Sequence, residues 1–404
     1  MPDPKAAQLP GRHIRIPNLQ KDRQGTLRLM SWWDHERVSR ARVMVVGAGA
    51  LGNEVLKNLA LMGIGAIFLI DRDRIEAANL SRSVLFRERD NGRLKTEAAA
   101  EAVRDLHPEV RLRTFDGDVV HDLGLGVFRR MDVIIGCLDN REARLAVNRA
   151  CWKVDRPWVD GAIQELFGVA RVFVPGDGAC YECTLSEQDW VMLGQAHPCK
   201  GIAVANILLG KVPTTPTISS IIAGFQAQEA LKLLHGMKDF VLSGRGLIVN
   251  GLTNEIYTTR FLPKEDCDSH WRYGEVTELH DARAASFTGR DLFARVGKDL
   301  GTPCVVELDR ELIVELECFA CGTRSAVAKP RARITEAEGR CATCGELQEP
   351  TTTHAWRGDE GYLDRPLADI GVPAGHILAA RGPNGRAFYE LTGDMPGLLG
   401  EVLE

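Results

Sequence analysis

The sequence contains no apolar run approaching the roughly 20 residues that a membrane-spanning helix needs; stretches such as Gly201 to Gly210 stop well short of it. Met1 to Arg15 is polar and broken by prolines, without the basic start and apolar centre of a secretory signal, so a cytoplasmic location away from membranes is expected. There is no basic block either, since 50 Lys and Arg stand against 55 Asp and Glu. That balance excludes a nucleic-acid partner held by bulk charge and leaves any phosphate to a local site. Long repeats and low-complexity tracts are missing. The 11 cysteines are an odd number, and six of them fall in three Cys-x-x-Cys pairs, "CYEC", "CFAC" and "CATC". In a cytosolic chain this pattern favours zinc over structural disulfides.

With 404 residues, 45% of them hydrophobic, the chain can bury a substantial core in two or three domains. Residues 1–41 read as a polar lead-in, helical near Trp32 and Trp33. From Arg42 short β-rich runs alternate with helical patterns: strands are predicted at Arg42 to Gly47, Ala66 to Asp71, Val110 to Asp118, Asp132 to Asp139 and Pro157 to Ile163, with another at Val169 to Pro175. This predicts an α/β domain over residues 42–277 with a Rossmann-like, mostly parallel sheet. A long helix is expected from Thr217 to its stop at Gly236. After "KEDCDSHWRYGE" the composition shifts to a smaller α+β region, residues 278–404, whose strand-rich tail suits a β-grasp fold.

Gly47, Gly49 and Gly52 form a G-x-G-x-x-G directly after a strand and before a helix. Glycines there let the backbone turn tightly and approach a phosphate at the positive helix end. A tight turn without ligand is the plain alternative. Asp71 lies 19 residues past Gly52 at the end of the next strand, where a carboxylate can accept from ribose hydroxyls. That placement suits NAD and ATP equally.

The residues that follow separate the two. Asp71 and Asp73, then Asn79-Leu80-Ser81-Arg82, then Gly92-Arg93-Leu94-Lys95, and later "DVIIGCLDNREARLAVNRAC" ending its strand at Asp139, resemble the ordered motifs of the ubiquitin-activating enzymes and the ThiF/MoeB-type bacterial adenylyltransferases. The resemblance covers roughly residues 20 to 275. It implies ATP and magnesium, with Arg82 and Lys95 on the phosphates, Asp71 on the ribose, Asn79 helping to position phosphate, and Asp139 on the metal. It also implies a homodimer in which an Arg from the partner's N-terminal segment completes the site. Arg23 has the family's distance to the glycine loop and Arg28 is the alternative, although the usual Arg-Tyr-x-Arg-Gln is absent. The chemistry favours these residue types, because an acid attacking the α-phosphate of ATP approaches a polyanion. Taken singly, Arg82 and Lys95 read as solvated helix charges and Asp139 as a helix cap.

By the same resemblance Cys180 and Cys183 form half of a structural zinc site, completed by Cys267 and His270 where relatives carry a second Cys pair. Three thiolates and one imidazole still close a tetrahedron. Cys318, Cys321, Cys341 and Cys344 have the C-x2-C-x19-C-x2-C spacing of a zinc ribbon, a second structural site that suits protein docking. Cys199 stands in the segment resembling the crossover loop, about residues 185–213, beside Lys200. There a thiolate can accept an activated acyl group as a thioester; the plain alternative is a quiet buried cysteine. Cys137, Cys151 and Cys304 sit in apolar contexts and read as core.

The resemblance therefore implies adenylation of the C-terminal glycine of a ubiquitin-like protein, then a thioester on Cys199 and passage to a conjugating enzyme. The alternatives are sulfur-carrier activation of thiamin or molybdopterin type, a NAD-dependent oxidoreductase, and a binding module with a decayed nucleotide site. Asn79, Arg82 and Lys95 have no role in hydride transfer.

Overall fold

The computed structural model describes residues 19–196 and 213–403. Its first sheet comprises β1 (Arg42–Val46), β2 (Ala66–Asp71), β3 (Arg111–Asp116), β4 (Val133–Gly136), β5 (Trp158–Gln164), β6 (Phe167–Phe173), β7 (Arg245–Asn250) and β8 (Glu255–Arg260), in the order β3-β2-β1-β4-β5-β6-β7-β8. The pairs from β3 through β5 are parallel and those from β5 to β8 antiparallel. The α/β architecture read from the sequence is the one observed. In β1, Val43 and Val45 face one core while Met44 and Val46 face the other, and all four are buried. Burial on both sides is why the parallel strands are almost continuously apolar.

Around this sheet run α1 (His35–Arg40), α2 (Ala50–Met62), α3 (Lys95–Leu106), α4 (Leu125–Arg129), α5 (Arg141–Lys153), α6 (Glu187–Ala196) and α7 (Pro216–Leu234). Helices α2, α3 and α7 cover one face, packing Leu56, Ala99 and Ile222 with Val43, Ile67 and Ile135. Thr215 caps α7 and Pro216 occupies its first turn, which fixes where that helix begins. Trp32 and Trp33 lie in a turn rather than a helix. Asp34 accepts from the Arg37 N–H at 3.1 Å, and this cap starts α1 only at His35.

A second sheet is built from β9 (Val276–Glu278), β10 (Val305–Glu317), β11 (Arg324–Pro330), β12 (Glu349–Trp356), β13 (Ile377–Gly382) and β14 (Gly385–Glu390), with α8 (Gly289–Leu300) and α9 (Met395–Leu399). Its order is β11-β10-β13-β14-β9, and β12 lies along the other edge of β10. Thr288 and Asp291 form a capping box at the start of α8.

The two sheets are not joined by a loose tether. Met395, Leu399 and Val402 pack on the second face of the first sheet with Met44, Phe68 and Phe128. The Arg42 Nη2 donates to the Leu403 carbonyl at 3.1 Å, and the Leu112 N–H donates to Glu401 Oε1 at 3.1 Å. Between the sheets, Arg129 binds Glu278 at 2.8 Å, and Arg129 and Arg130 both pair with the buried Glu390. Close approach here depends on Gly124, where a Cβ would stand 2.3 Å from the Ala374 carbonyl oxygen.

Candidate functional site

Three glycines turn β1 into α2, each for its own reason. Gly47 has φ +99°, which side chains avoid, and a Cβ there would lie 2.4 Å from the Cys137 carbonyl oxygen. A Cβ on Gly52 would lie 1.9 Å from the Gly47 carbonyl oxygen, so the turn closes only without one. Gly49 is different: it is the N-cap residue of α2, and nothing stands within 4 Å of where its Cβ would be. An open side at the positive end of a helix is a place for phosphate.

Asp71 braces this loop from the end of β2. Its Oδ2 accepts from the Ala48 N–H at 2.6 Å and its Oδ1 from the Asp73 N–H at 2.7 Å. Burial pushes its pKa above the ordinary carboxylate value, with the Lys95 ammonium and the two N–H donors pulling the other way. Lys95, buried at the start of α3, donates from Nζ to Asp73 Oδ2 at 2.7 Å, while its own N–H holds the Asp73 carbonyl at 3.0 Å. The glycine loop, Asp71, Asp73 and Lys95 are thus linked in one run of contacts.

Asn79 is buried and its Oδ1 accepts from the Glu76 N–H at 2.9 Å, leaving the amide nitrogen as its donor end. Arg82 is half-buried and hooks back to the Ala78 carbonyl at 2.8 Å. Asp139 is exposed and does not cap α5. That job falls to Asn140, whose Oδ1 accepts from the Ala143 N–H at 2.8 Å. Because β1 lies between β2 and β4, the loop, Asp71 and Asp139 all follow strand ends at the point where the order of the parallel strands reverses. Clefts of open α/β sheets bind ligands there.

Arg23 is exposed, and its guanidinium donates to the carbonyl of Leu106 at the end of α3 opposite Lys95. A helix of 12 residues separates those ends by about 18 Å, so Arg23 is remote from Lys95 of its own chain. Arg28 contacts His35 Nε2 at 2.7 Å and Asp22 at 3.4 Å. Cys199 falls outside the described residues, as does the crossover segment from 197 to 212.

Several site residues escaped sequence reasoning. Asn53 is fully buried in α2: its Nδ2 donates to the carbonyls of Ala48 at 2.7 Å and Gly49 at 3.0 Å, and its Oδ1 accepts from the Leu85 N–H at 2.9 Å. It staples the glycine loop to the segment bearing Asn79 and Arg82. The available signal was an amide one position past the glycine motif in "LGNEVLKNLA", a stretch that carries a second one at Asn58. Asp160, Arg144 and the half-buried Arg171 form a cluster behind Asp139; the family pattern carries an Arg on the helix after Asp139, but nothing local in the sequence marks Asp160 or Arg171.

Both cysteine groups assemble. Cys180, Cys183, Cys267 and His270 bring their ligand atoms within 4.8 Å of one another, with Cys180 to Cys267 at 3.5 Å and Cys183 to His270 Nε2 at 3.4 Å. Zinc–sulfur bonds of about 2.3 Å imply tetrahedral edges of roughly 3.8 Å, so this donor set fits zinc after slight expansion. His270 stacks on Trp152 with ring centroids 4.3 Å apart. Asn148 of α5 ties the site to the sheet, accepting from the Tyr181 N–H at 2.9 Å and donating to Ser269 Oγ at 2.9 Å. Cys318, Cys321, Cys341 and Cys344 likewise converge, with Cys318 to Cys344 at 3.4 Å and Cys321 to Cys341 at 3.5 Å. Each pair sits on a turn closed by a glycine N–H, Gly322 to the Cys318 carbonyl and Gly345 to that of Cys341. Four thiolates leave no open coordination position, which fits a structural ion. Cys137, Cys151 and Cys304 are buried in the hydrophobic cores.

Known proteins resemble this chain in sequence, in fold and in family. The chain is 33% identical over 260 residues to the SAMP-activating enzyme E1 of Haloferax volcanii, covering 63% of this chain and 86% of that one. It is 30% identical over 246 residues to the adenylyltransferase and sulfurtransferase MOCS3 of Culex quinquefasciatus, covering 61% of this chain and 53% of the relative. It spans only about a quarter to a half of the SUMO-activating and ubiquitin-like modifier-activating relatives it also matches. The crystal structure of E. coli MccB with ATP shares the fold, with a TM-score of 0.53 at 21% identity over 63% of this chain and 75% of that one. The model of the ThiF family matches residues 21–269, more than half of the sequence, and the chain accordingly belongs to the ThiF family.

Proposed function

We propose that the protein is an ATP-dependent adenylyltransferase that activates the C-terminal glycine of a small ubiquitin-like protein. The observation that carries this reading is the open side of Gly49, bordered by the run of contacts from Asp71 through Asp73 to Lys95. In the reaction a carboxylate oxygen of the carrier attacks the α-phosphorus of ATP. The bond to the pyrophosphate oxygen breaks, giving acyl adenylate and pyrophosphate. The α2 N-terminus receives phosphate, Lys95 and Arg82 oppose its charge, Asp71 accepts from the ribose, and Asn79 donates to phosphate. Asp139 would hold Mg2+, which when bound would supply positive charge against the phosphates. Arg23, or Arg28 in its place, acts across a homodimer on the partner's site.

In the finer form of this reading the Cys199 thiolate then attacks the acyl carbonyl and expels AMP. The resulting thioester passes to a conjugating enzyme docked on the ribbon of Cys318 to Cys344. Zinc occupies both cysteine sites structurally, and the enzyme works in the cytoplasm. The similarity to an adenylyltransferase and sulfurtransferase supports a second reading, in which the carrier leaves with sulfur instead. The test is ATP–pyrophosphate exchange with glycine-terminated carriers, followed by intact mass with and without reductant. Cys199→Ala is expected to keep exchange and lose a reducible adduct. An adduct that persists eliminates Cys199, and no exchange with any carrier refutes the adenylation.

A further inference from the structure

Asp139 stands in the short connection between β4 and α5, and the carbonyls around it are held from behind. Gln226 of α7 donates from Nε2 to the Gly136 carbonyl at 2.8 Å. Arg144 of α5 reaches back with Nη2 to the Leu138 carbonyl at 2.5 Å and to the Gly161 carbonyl at 3.1 Å, and its Nη1 lies 3.5 Å from the Asn140 carbonyl. The peptide group before Asp139 is therefore held by this guanidinium, and the carbonyl of the residue after it lies at the edge of its reach. The exposed Asp139 carboxylate accepts from Asn140 Nδ2 at 3.1 Å through Oδ1.

Arg144 is itself locked. Its Nε donates to Asp160 Oδ1 at 3.0 Å, and the other oxygen of Asp160 accepts from Arg171 Nε at 2.9 Å and Nη2 at 2.5 Å. Asp160 has no exposed surface and Arg144 is 7% exposed. A cluster of two guanidiniums and one carboxylate taken out of water is costly to build and contributes little net stability compared with apolar packing. What it supplies is geometry: a planar fork fixed at three nitrogens holds its acceptors in one arrangement.

We propose that Asp160, acting through Arg144, is the positioning residue that aims Asp139 at the metal–nucleotide. This rests on the reading of Asp139 as the metal ligand. Without the clamp the Leu138–Asn140 turn gains freedom, and Asp139 must be ordered again each time the metal binds. The affinity for ATP in the absence of metal, which depends on the glycine loop, is left unchanged.

The experiment uses the full chain and reads binding, not turnover. ATP binding without metal is measured by calorimetry, and Mn2+ uptake in the presence of saturating ATP by electron paramagnetic resonance. The variants are Asp160→Asn, Arg144→Lys and Asp139→Ala. Arg144→Lys keeps a charge against Asp160 but cannot span both carbonyls, so it tests the clamp even if Asp160→Asn fails to fold. Asp139→Ala is expected to abolish ATP-dependent Mn2+ uptake. Arg144→Lys and any folded Asp160→Asn are expected to weaken uptake about tenfold at wild-type affinity for metal-free ATP. Wild-type Mn2+ affinity in folded Arg144→Lys, with uptake lost in Asp139→Ala, overturns the positioning role alone. Unchanged uptake in Asp139→Ala overturns the reading of Asp139 and this inference with it.

Discussion

Substituting alanine at Gly49 should separate binding from folding in the glycine loop. Gly49 has φ −74° and ψ −156°, within reach of alanine, and its Cβ position has nothing within 4 Å. Losing glycine as N-cap costs about 1 kcal/mol, and the stiffer unfolded chain returns roughly 0.4–1 kcal/mol. Net stability thus changes by less than about 1 kcal/mol, or no more than roughly 4 °C in melting temperature for a domain of this size. The added methyl instead fills the space through which a phosphate reaches the α2 N–H groups. Losing one hydrogen bond to a charged oxygen costs about 1.5–3 kcal/mol, which weakens ATP roughly ten- to a hundredfold. Gly52→Ala is the contrast, since its Cβ meets the Gly47 carbonyl oxygen at 1.9 Å and the backbone must move, so that variant should fail to fold stably. Calorimetric titration with ATP, paired with a thermal melt, measures both. A Gly49→Ala protein that melts normally and binds ATP like the wild type would refute the phosphate assignment.

His376 is buried at the junction of the sheets, where burial, aided by Arg310 and Lys153 against the pull of Asp309, holds its pKa down at about 3. A histidine whose folded pKa is depressed stabilises the neutral form, so stability present above its unfolded value near 6.5 is lost as pH falls from there toward 3. By pH 4 the loss is about 3 kcal/mol, and His376→Gln should flatten that part of the denaturant-midpoint profile between pH 7 and 4. Cys267→Ser and Cys318→Ser should each lower bound zinc, measured by elemental analysis, from two ions per chain to one; a wild type without zinc would refute both sites. Deleting the chain from Met395 onward removes three buried apolar side chains worth about 1.5–3 kcal/mol each, comparable to the stability of a whole domain. Its product should lose the cooperative melt and bind a hydrophobic dye.

Elements with two-sided burial were legible because their apolar runs are nearly unbroken: β1, β2, β4 and β5 lie close to where the sequence places them. Strand β8 was not, since Glu255 to Arg260 is mostly exposed at a sheet edge and carries no apolar alternation. The glycine loop and the Asp71 to Lys95 spacing were readable because the turn demands those residue types locally. Asp160 was silent because its partners, Arg144 and Arg171, come from different elements and meet only through the parallel pairing of β4 with β5 and the antiparallel turn into β6. The packing of Met395, Leu399 and Val402 against Phe68 has no local signal at all.

That packing constrains the order of events at the ribosome. The Leu112 amide and the Glu401 carboxylate that accepts from it are 289 positions apart in the chain. At about 5–20 residues per second, the interval between making one and making the other is roughly 15 to 60 s. Throughout that interval the greasy side of the first-made strands lacks its final cover, so a chaperone has to shield it or the nascent chain risks sticking to its neighbours.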